Sequence, residues 1–318
     1  MAERSRNSLT SVLEWGCVAI LARFFDRVPE SLAYALGEAA AGLAFRVDAR
    51  HRAIAAENLA RAFPGRYTSE ELHALVREVF LNLGRTAVDV ARSHRLLRPE
   101  HRHALEVEGF EHLDAARRRG KGVLALTAHL GPWELMILTT PVFYEPIHVV
   151  VRPLDNPRLD DLLTTLRERG GSQLIRKREA VRAILQTLRR GKTVGIMIDQ
   201  HISEREGVVV PFFGRPASTA SAPALIAIRS GAAVVPAGII RLAGRGRYRI
   251  RIFPEVEVRR SGDLKADLVE NTARFNQAIE AMIREHPDHW FWVHRRWKTT
   301  QPLDPRFEPA MLSSGSRP

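Results

Sequence analysis

The residues best placed to do chemistry are His129 and Glu134, in the hexapeptide His129-Leu130-Gly131-Pro132-Trp133-Glu134. An imidazole and a carboxylate can form a general base, provided the two side chains meet. On a continuous helix, residues at this spacing point roughly 140° apart. The chain must therefore turn between them. Gly131 permits dihedrals that other residues resist, and Pro132 suits the first position of a following helix. The expected arrangement puts His129 on the turn and Glu134 in the first helical turn. There the carboxylate takes the Nδ1 proton and leaves the other ring nitrogen as a proton acceptor near neutral pH. The ordinary accounts are a strand-end histidine held by hydrogen bonds and a first-turn glutamate favoured by the helix dipole. Zinc would need more ligands than these two, the spacing is not that of His-Glu-x-x-His, and the single cysteine is Cys17, so no metal is expected.

Such a pair needs a strand before it and a helix after it. Val123 to Thr127 reads as a short buried strand and Trp133 to Tyr144 as a long apolar helix. Further on, short apolar runs alternate with amphipathic stretches. Ile147 to Val151, Thr193 to Ile198, Val208 to Phe213 and Ala233 to Ile240 read as strands; Asn156 to Arg169, Ala180 to Arg190 and Thr219 to Ser230 read as helices between them. This alternation predicts an α/β fold with a mostly parallel sheet covered on both faces. Arg247, Arg249 and Arg251 alternate with Tyr248, Ile250 and Ile252, the mark of a strand with one basic face, and a last helix runs from about Asp263 to Glu285. The first third is helical throughout: Ser8 to Phe25, Ser31 to Phe45, Arg52 to Phe63 and Ser69 to Arg92, punctuated by Pro29, Pro64-Gly65 and Pro99. The organisation expected is a helical membrane-associating region over residues 1–100, an α/β core over 101–305 and a frayed tail over 306–318.

Four later segments can serve the pair. Arg152, in Val151-Arg152-Pro153-Leu154-Asp155-Asn156-Pro157, follows a strand and so reaches the carboxyl edge where α/β ligands collect; pairing with Asp155 is the plainer alternative. Arg176-Lys177-Arg178, after another strand, concentrates charge that either binds phosphate or is simply solvated. Asp199, in Ile198-Asp199-Gln200, ends another strand and either orients a basic residue or the substrate, or caps a loop. In Phe212-Phe213-Gly214-Arg215-Pro216-Ala217-Ser218-Thr219, Ser218 or Thr219 reads as a helix N-cap.

The net charge of +12, from 48 basic and 36 acidic residues, predicts anionic partners: an anionic membrane face, a phosphorylated lipid or an acidic carrier protein. With few aromatics and no zinc-finger, RNP or helix-turn-helix pattern, nucleic acid is not expected. Cys17 cannot form an internal disulfide, and its apolar helix predicts inert packing. In Ser8 to Phe25, Glu14 and Arg23 leave Trp15 to Ala22 as the longest clean apolar run, well short of the ~20 residues a spanning helix needs. Arg4, Arg6, Arg23 and Arg27 flank it, and Trp15, Phe24 and Phe25 suit a headgroup boundary, so an interfacial helix or marginal anchor is expected, with an amphipathic core helix as the alternative. No small-x-small cleavage site follows the run, so it is expected to be retained.

Taken in order, these segments resemble the late acyltransferases of lipid A biosynthesis, the lauroyl/myristoyl type within the lysophospholipid (glycerolipid) acyltransferase superfamily. The resemblance runs from Asn58-Leu59-Ala60-Arg61-Ala62-Phe63-Pro64 to Trp292-Val293-His294-Arg295-Arg296-Trp297-Lys298, through Thr127 to Leu135, Val151 to Pro157, Asp199-Gln200 and Phe212 to Thr219. It implies a glycerolipid acyltransferase-like mixed sheet, flanked by helices, with an N-terminal helical annex. It also implies transfer of a fatty acyl group, from a thioester on acyl carrier protein or from acyl-CoA, to a hydroxyl of a phosphorylated lipid A precursor on the cytoplasmic side of the inner membrane. His129 would remove the hydroxyl proton, Glu134 would hold the imidazole and stabilise its cation, and Arg152, with Arg215 as a second candidate, would meet substrate phosphate or developing negative charge. Arg176 and Asp199 complete the expected substrate-binding set. No cofactor is implied, the acyl thioester being a co-substrate. Related acyltransferases carrying the His and Glu motif leave two alternatives: another glycolipid or lysolipid acceptor, of the phosphatidylinositol mannoside type, or a non-catalytic membrane-binding relative. The Ser8 to Phe25 stretch is less continuously apolar than in many members of the family, so the expected attachment is peripheral or through a marginal anchor.

Overall fold

The alternation of short apolar runs resolves into a seven-stranded sheet. The structure, a computed structural model, describes residues 8–176, 180–299 and 301–307. Its strands are β1 (Leu105–Glu108), β2 (Val123–Thr127), β3 (His148–Val151), β4 (Gln173–Arg176), β5 (Thr193–Met197), β6 (Gly207–Phe212), β7 (Arg215–Ala220), β8 (Ala233–Arg241) and β9 (Tyr248–Ile252). The main sheet has the order β1-β9-β8-β2-β5-β3-β4. From β8 to β4 every pairing is parallel, while β9 is antiparallel to β8 and carries β1 parallel to itself at the edge. The central strands are apolar on both faces: Leu124, Leu126, Val194 and Val234 are buried on one and Val123, Ala233 and Val235 on the other, as expected where helices cover a parallel sheet on both sides.

The helices are α1 (Leu9–Arg27), α2 (Glu30–Val47), α3 (Ala49–Ala62), α4 (Ser69–Arg92), α5 (Phe110–Arg118), α6 (Trp133–Phe143), α7 (Pro157–Glu168), α8 (Ala180–Arg189), α9 (Ala222–Ser230) and α10 (Leu264–Glu285). The first four form the N-terminal layer. α4 begins in a capping box, in which Thr68 and Glu71 satisfy each other's backbone N–H groups. α2 and α4 come close enough to touch at their backbones: a Cβ on Gly84 would lie 2.5 Å from the Gly37 carbonyl oxygen. A buried network then ties this layer to the sheet. Asp89 of α4 accepts from Tyr34 of α2, from Tyr248 of β9 at 2.7 Å and from the Arg241 guanidinium at the end of β8.

α1 buries only Ser11. Leu9, Leu13, Ile20 and Phe24 are exposed, and so are Leu32, Leu36, Leu43 and Val47 of α2. In both helices these residues recur at i, i+4, i+11 and i+15, a single stripe on a 3.6-residue helix. The amphipathic core-helix reading of Ser8 to Phe25 therefore does not hold. Cys17 is exposed too, rather than packed. Among the described residues no helix is long and apolar enough to cross a membrane.

One expected element differs in kind. The pattern from Thr219 predicts the start of a helix, but residues 215–220 form β7, paired with β6 in a separate hairpin, and α9 starts only at Ala222. Ser218 and Thr219 are thus buried strand residues and not helix caps. The hairpin closes through Phe213 and Gly214, both with positive φ, at 51° and 70°. A two-residue turn of that hand suits the strand twist, but it is normally announced by Asn-Gly or Asp-Gly. Here the Phe213 ring, buried against Phe63 and Phe212, holds the conformation instead. β1 and α5 are additions to the expected elements. The tail Ser313 to Pro318 and the residues Lys177 and Arg178 lie outside the described residues.

Candidate active site

Parallel pairing in register brings the central residues together. Thr127 of β2 lies opposite Met197 of β5, so two residues beyond each strand His129 and Asp199 leave the sheet side by side. Asp199 Oδ1 lies 2.9 Å from His129 Nδ1, and its Oδ2 accepts from the His129 backbone N–H at 2.9 Å. The Trp290 indole N–H donates to the same Oδ2 at 2.8 Å. Asp199 is wholly buried, while the imidazole keeps 21% of its side chain exposed. A carboxylate can only accept, so Nδ1 carries the proton and Nε2 is a lone-pair acceptor on the open side, facing the Gln200 amide nitrogen at 3.4 Å. Burial opposes charge on His129, but the charge and hydrogen bond of Asp199 outweigh it, Glu134 adds and Arg167 subtracts, and the imidazole ends up more basic than an ordinary histidine. Burial likewise opposes charge on Asp199, yet the charge and hydrogen bonds of His129, with a smaller contribution from His294, hold it well below the usual carboxylate range.

The expected partner of Nδ1 is Glu134; the structure supplies Asp199 instead. Glu134 does sit in the first turn of α6, but its two oxygens take the Nε and NH2 groups of Arg167 on α7 at 2.8 and 2.6 Å. The Trp133 indole adds a third contact at 3.2 Å, and its ring meets the His129 ring edge-on with centroids 5.1 Å apart. A planar guanidinium engages a carboxylate in two hydrogen bonds, so Glu134 faces α7 and acts on His129 through its charge. The turn itself forms as its residues dictate. Gly131 has φ of 57°, and a Cβ there would lie 2.3 Å from the Ile239 carbonyl oxygen.

A strap after α10 closes over the turn. The Gly131 N–H donates to the His289 carbonyl at 2.8 Å and the Phe291 N–H to the His129 carbonyl at 3.0 Å. Asn58 of α3 anchors the strap by donating to the carbonyls of Trp292 and His294, each at 2.7 Å. Farther along, Arg296 is wholly buried, bonded to the Ser218 carbonyl and the Thr219 hydroxyl and lying over the Phe212 ring. Burial brings its guanidinium down to about 10.

The remaining candidates divide. Arg152 follows β3 and Arg176 ends β4, so both lie at the same carboxyl edge as His129 and Asp199, and both are exposed. Arg176 reaches Asp160 at 3.3 Å. Arg215, at the start of β7, donates to the Arg61 carbonyl of α3 and makes no hydrogen bond at the His129 centre. Sequence reasoning missed Arg167 and Trp290. Neither carries a local signal, because each acts through a partner more than thirty residues away in the chain.

An imidazole held by a buried carboxylate, with its other nitrogen at the carboxyl edge of a parallel sheet, can take a proton from a hydroxyl brought to it. That centre in this α/β fold defines the broad class. Comparison with known proteins supplies the family. Residues 2–299 match the family model described as bacterial lipid A biosynthesis acyltransferase. The chain is 28% identical over 251 residues to the lipid A biosynthesis palmitoleoyltransferase of Escherichia coli (strain K12), covering 79% of each chain. It is 29% identical over 278 residues to the lipid A biosynthesis lauroyltransferase of the same organism, covering 86% of this chain and 87% of that one. It also resembles a phosphatidylinositol mannoside acyltransferase of Mycobacterium tuberculosis (strain CDC 1551 / Oshkosh), 28% identical over 195 residues, 60% of this chain and 59% of the other. The chain belongs to the bacterial lipid A biosynthesis acyltransferases. It is an acyltransferase.

Proposed function

We propose that this acyltransferase moves a fatty acyl group from a thioester, on acyl carrier protein or coenzyme A, to a hydroxyl of a phosphorylated lipid A precursor at the cytoplasmic face of the inner membrane. The observation that carries the chemistry is the 2.9 Å contact of His129 Nδ1 with the buried carboxylate of Asp199, which makes Nδ1 the donor and leaves Nε2 as an acceptor whose 3.4 Å contact with the Gln200 amide a substrate hydroxyl would replace. Nε2 takes the hydroxyl proton as the oxygen attacks the thioester carbonyl. The tetrahedral intermediate then expels the thiolate, the proton returns from the imidazolium to the sulfur, and the products are an ester and a free thiol. Asp199 stabilises the transient imidazolium and holds the tautomer, and Glu134 adds negative charge nearby. Arg152 and Arg176, exposed at the same edge, suit the acceptor's phosphates or the developing oxyanion. Neither cofactor nor metal is required by this sequence of steps. The exposed stripes of α1 and α2, beside Arg23 and Arg27, suit a helix pair lying in an anionic membrane surface.

A second reading rests on the likeness to the phosphatidylinositol mannoside acyltransferase: the same chemistry on another glycolipid acceptor. Incubating purified protein with labelled acyl donor and each acceptor class separates the two, and His129→Ala tests the base. Equal transfer by the wild type and His129→Ala would remove His129 from the mechanism. Mass spectrometry of the host's lipids with and without the gene identifies the acceptor: a changed lipid A acylation pattern is expected, and a change confined to another glycolipid would favour the second reading.

A further inference from the structure

We propose that Trp290 is a positioning residue that sets the basicity of His129 through the carboxylate both contact, Asp199; this rests on the general-base reading above. Asp199 is wholly buried, so its charge is shared among the N–H groups around it and none of it reaches water. Three donors take part: His129 Nδ1 at Oδ1, and the His129 backbone N–H and the Trp290 indole at Oδ2. Each donor to Oδ2 draws charge away from Oδ1, where the imidazolium would be stabilised. The backbone N–H is common to any residue at position 129. The indole is therefore the side chain that moderates the pull of Asp199 on His129.

Its placement is over-determined. Trp290 is 1% exposed, which keeps water from taking its place at Oδ2. Its ring stands edge-on to Trp292, with centroids 4.5 Å apart, and leans on Phe212. On either side of it the strap makes the two main-chain bonds to Gly131 and His129. The strap thus grips the base by its backbone and the base's carboxylate by its indole. Among the described residues, the other charged or titratable groups acting on the centre are Glu134 from α6 and Arg167 from α7, paired with each other, and His294 and Arg296 from the strap itself. His294 Nδ1 faces the Phe291 carbonyl, and among the described residues its Nε2 has no partner; neither His294 nor Arg296 donates to Asp199.

Trp290→Phe keeps an aromatic ring in place and removes the N–H. With histidine-labelled protein, and the His129 resonance assigned by its loss in His129→Ala, the imidazole should titrate roughly half a unit to one unit higher, about a three- to ten-fold rise in basicity. The acid limb of kcat/KM for acyl transfer should move with it. Activity lost near neutral pH should then return at alkaline pH, with KM unchanged. Trp292→Phe disturbs the strap comparably, but its indole donates to the Pro287 carbonyl, so His129 should titrate as in the wild type. An unchanged or lowered titration in Trp290→Phe, an equal shift in both variants, or a loss that no pH restores would overturn the proposal. Site-specific fluorotryptophan at position 290, a stronger N–H donor of the same shape, should lower the titration and decides between the outcomes if Trp290→Phe fails to fold. The titration needs no substrate, so a protein that transfers no acyl group would sink the acyltransfer mechanism while the role of Trp290 could still be measured.

Discussion

Two carboxylates flank His129, and their surroundings give them different work. Among the described residues no Arg or Lys side chain is bonded to Asp199, which spends its acceptor capacity on three N–H groups, one of them the imidazole. Glu134 is already engaged by Arg167. Asp199→Asn should therefore be the more damaging change: an amide can stabilise the wrong imidazole tautomer, and a loss of roughly 10³- to 10⁴-fold in kcat with KM little altered is expected from steady-state kinetics. Glu134→Gln should act mainly through charge. It removes a group that raises the basicity of His129 and leaves Arg167 unopposed, so the acid limb of the rate profile should move to lower pH, with a smaller fall in the maximal rate. The wild-type limb has a defined sign as well. The reaction needs neutral His129, so kcat/KM should climb as pH rises through a value above the ordinary histidine 6.5 and then level off. His129, Glu134 and Asp199 are all visible in the sequence as polar residues beside apolar runs. Their pairing is not, because it depends on Thr127 lying opposite Met197, a register chosen by the whole sheet.

At the scale of elements, the alternation of runs correctly foretold the central strands and the helices between them, since buried parallel strands are apolar throughout. β7 escaped because Phe213 takes a positive φ on the strength of aromatic packing, which local composition does not display. β1 escaped because its four residues, Leu105 to Glu108, are half polar and lie at the sheet edge. The joint between the helical layer and the sheet was equally hidden, being made by Tyr34 of α2, Asp89 of α4, and Arg241 and Tyr248 of the paired β8 and β9, three segments far apart in the chain. Burial and the neighbouring Asp89 charge push both tyrosine hydroxyls well above their usual range, so they remain protonated donors. Removing one member of such a buried pair leaves an uncompensated charge. Asp89→Ala should destabilise the fold by about 3–5 kcal/mol in denaturant unfolding, while the double change Asp89→Leu with Arg241→Met should cost less than Asp89→Ala alone.

Across the whole molecule, basic charge and an exposed apolar flank occur together. The net charge and the interrupted hydrophobicity of Ser8 to Phe25 were legible from composition; that α2 carries a matching stripe was not, because a helix's exposed face depends on what packs against its other side. Changing Leu13 or Leu43 to Glu should weaken sedimentation with phosphatidylglycerol vesicles by roughly ten-fold or more each, since burying a leucine side chain is worth about 1.5–3 kcal/mol. Added salt should weaken binding further. Unchanged partitioning would show that these stripes do not meet the bilayer. The order of these parts along the chain adds a matter of timing. Synthesis runs from the N-terminus, so the apolar flank leaves the ribosome before the strap that seals the turn over His129, which follows α10 in the chain. If the flank meets a bilayer as proposed, a nascent chain settles there before it holds a finished base, and its chemistry begins beside the lipid it would acylate.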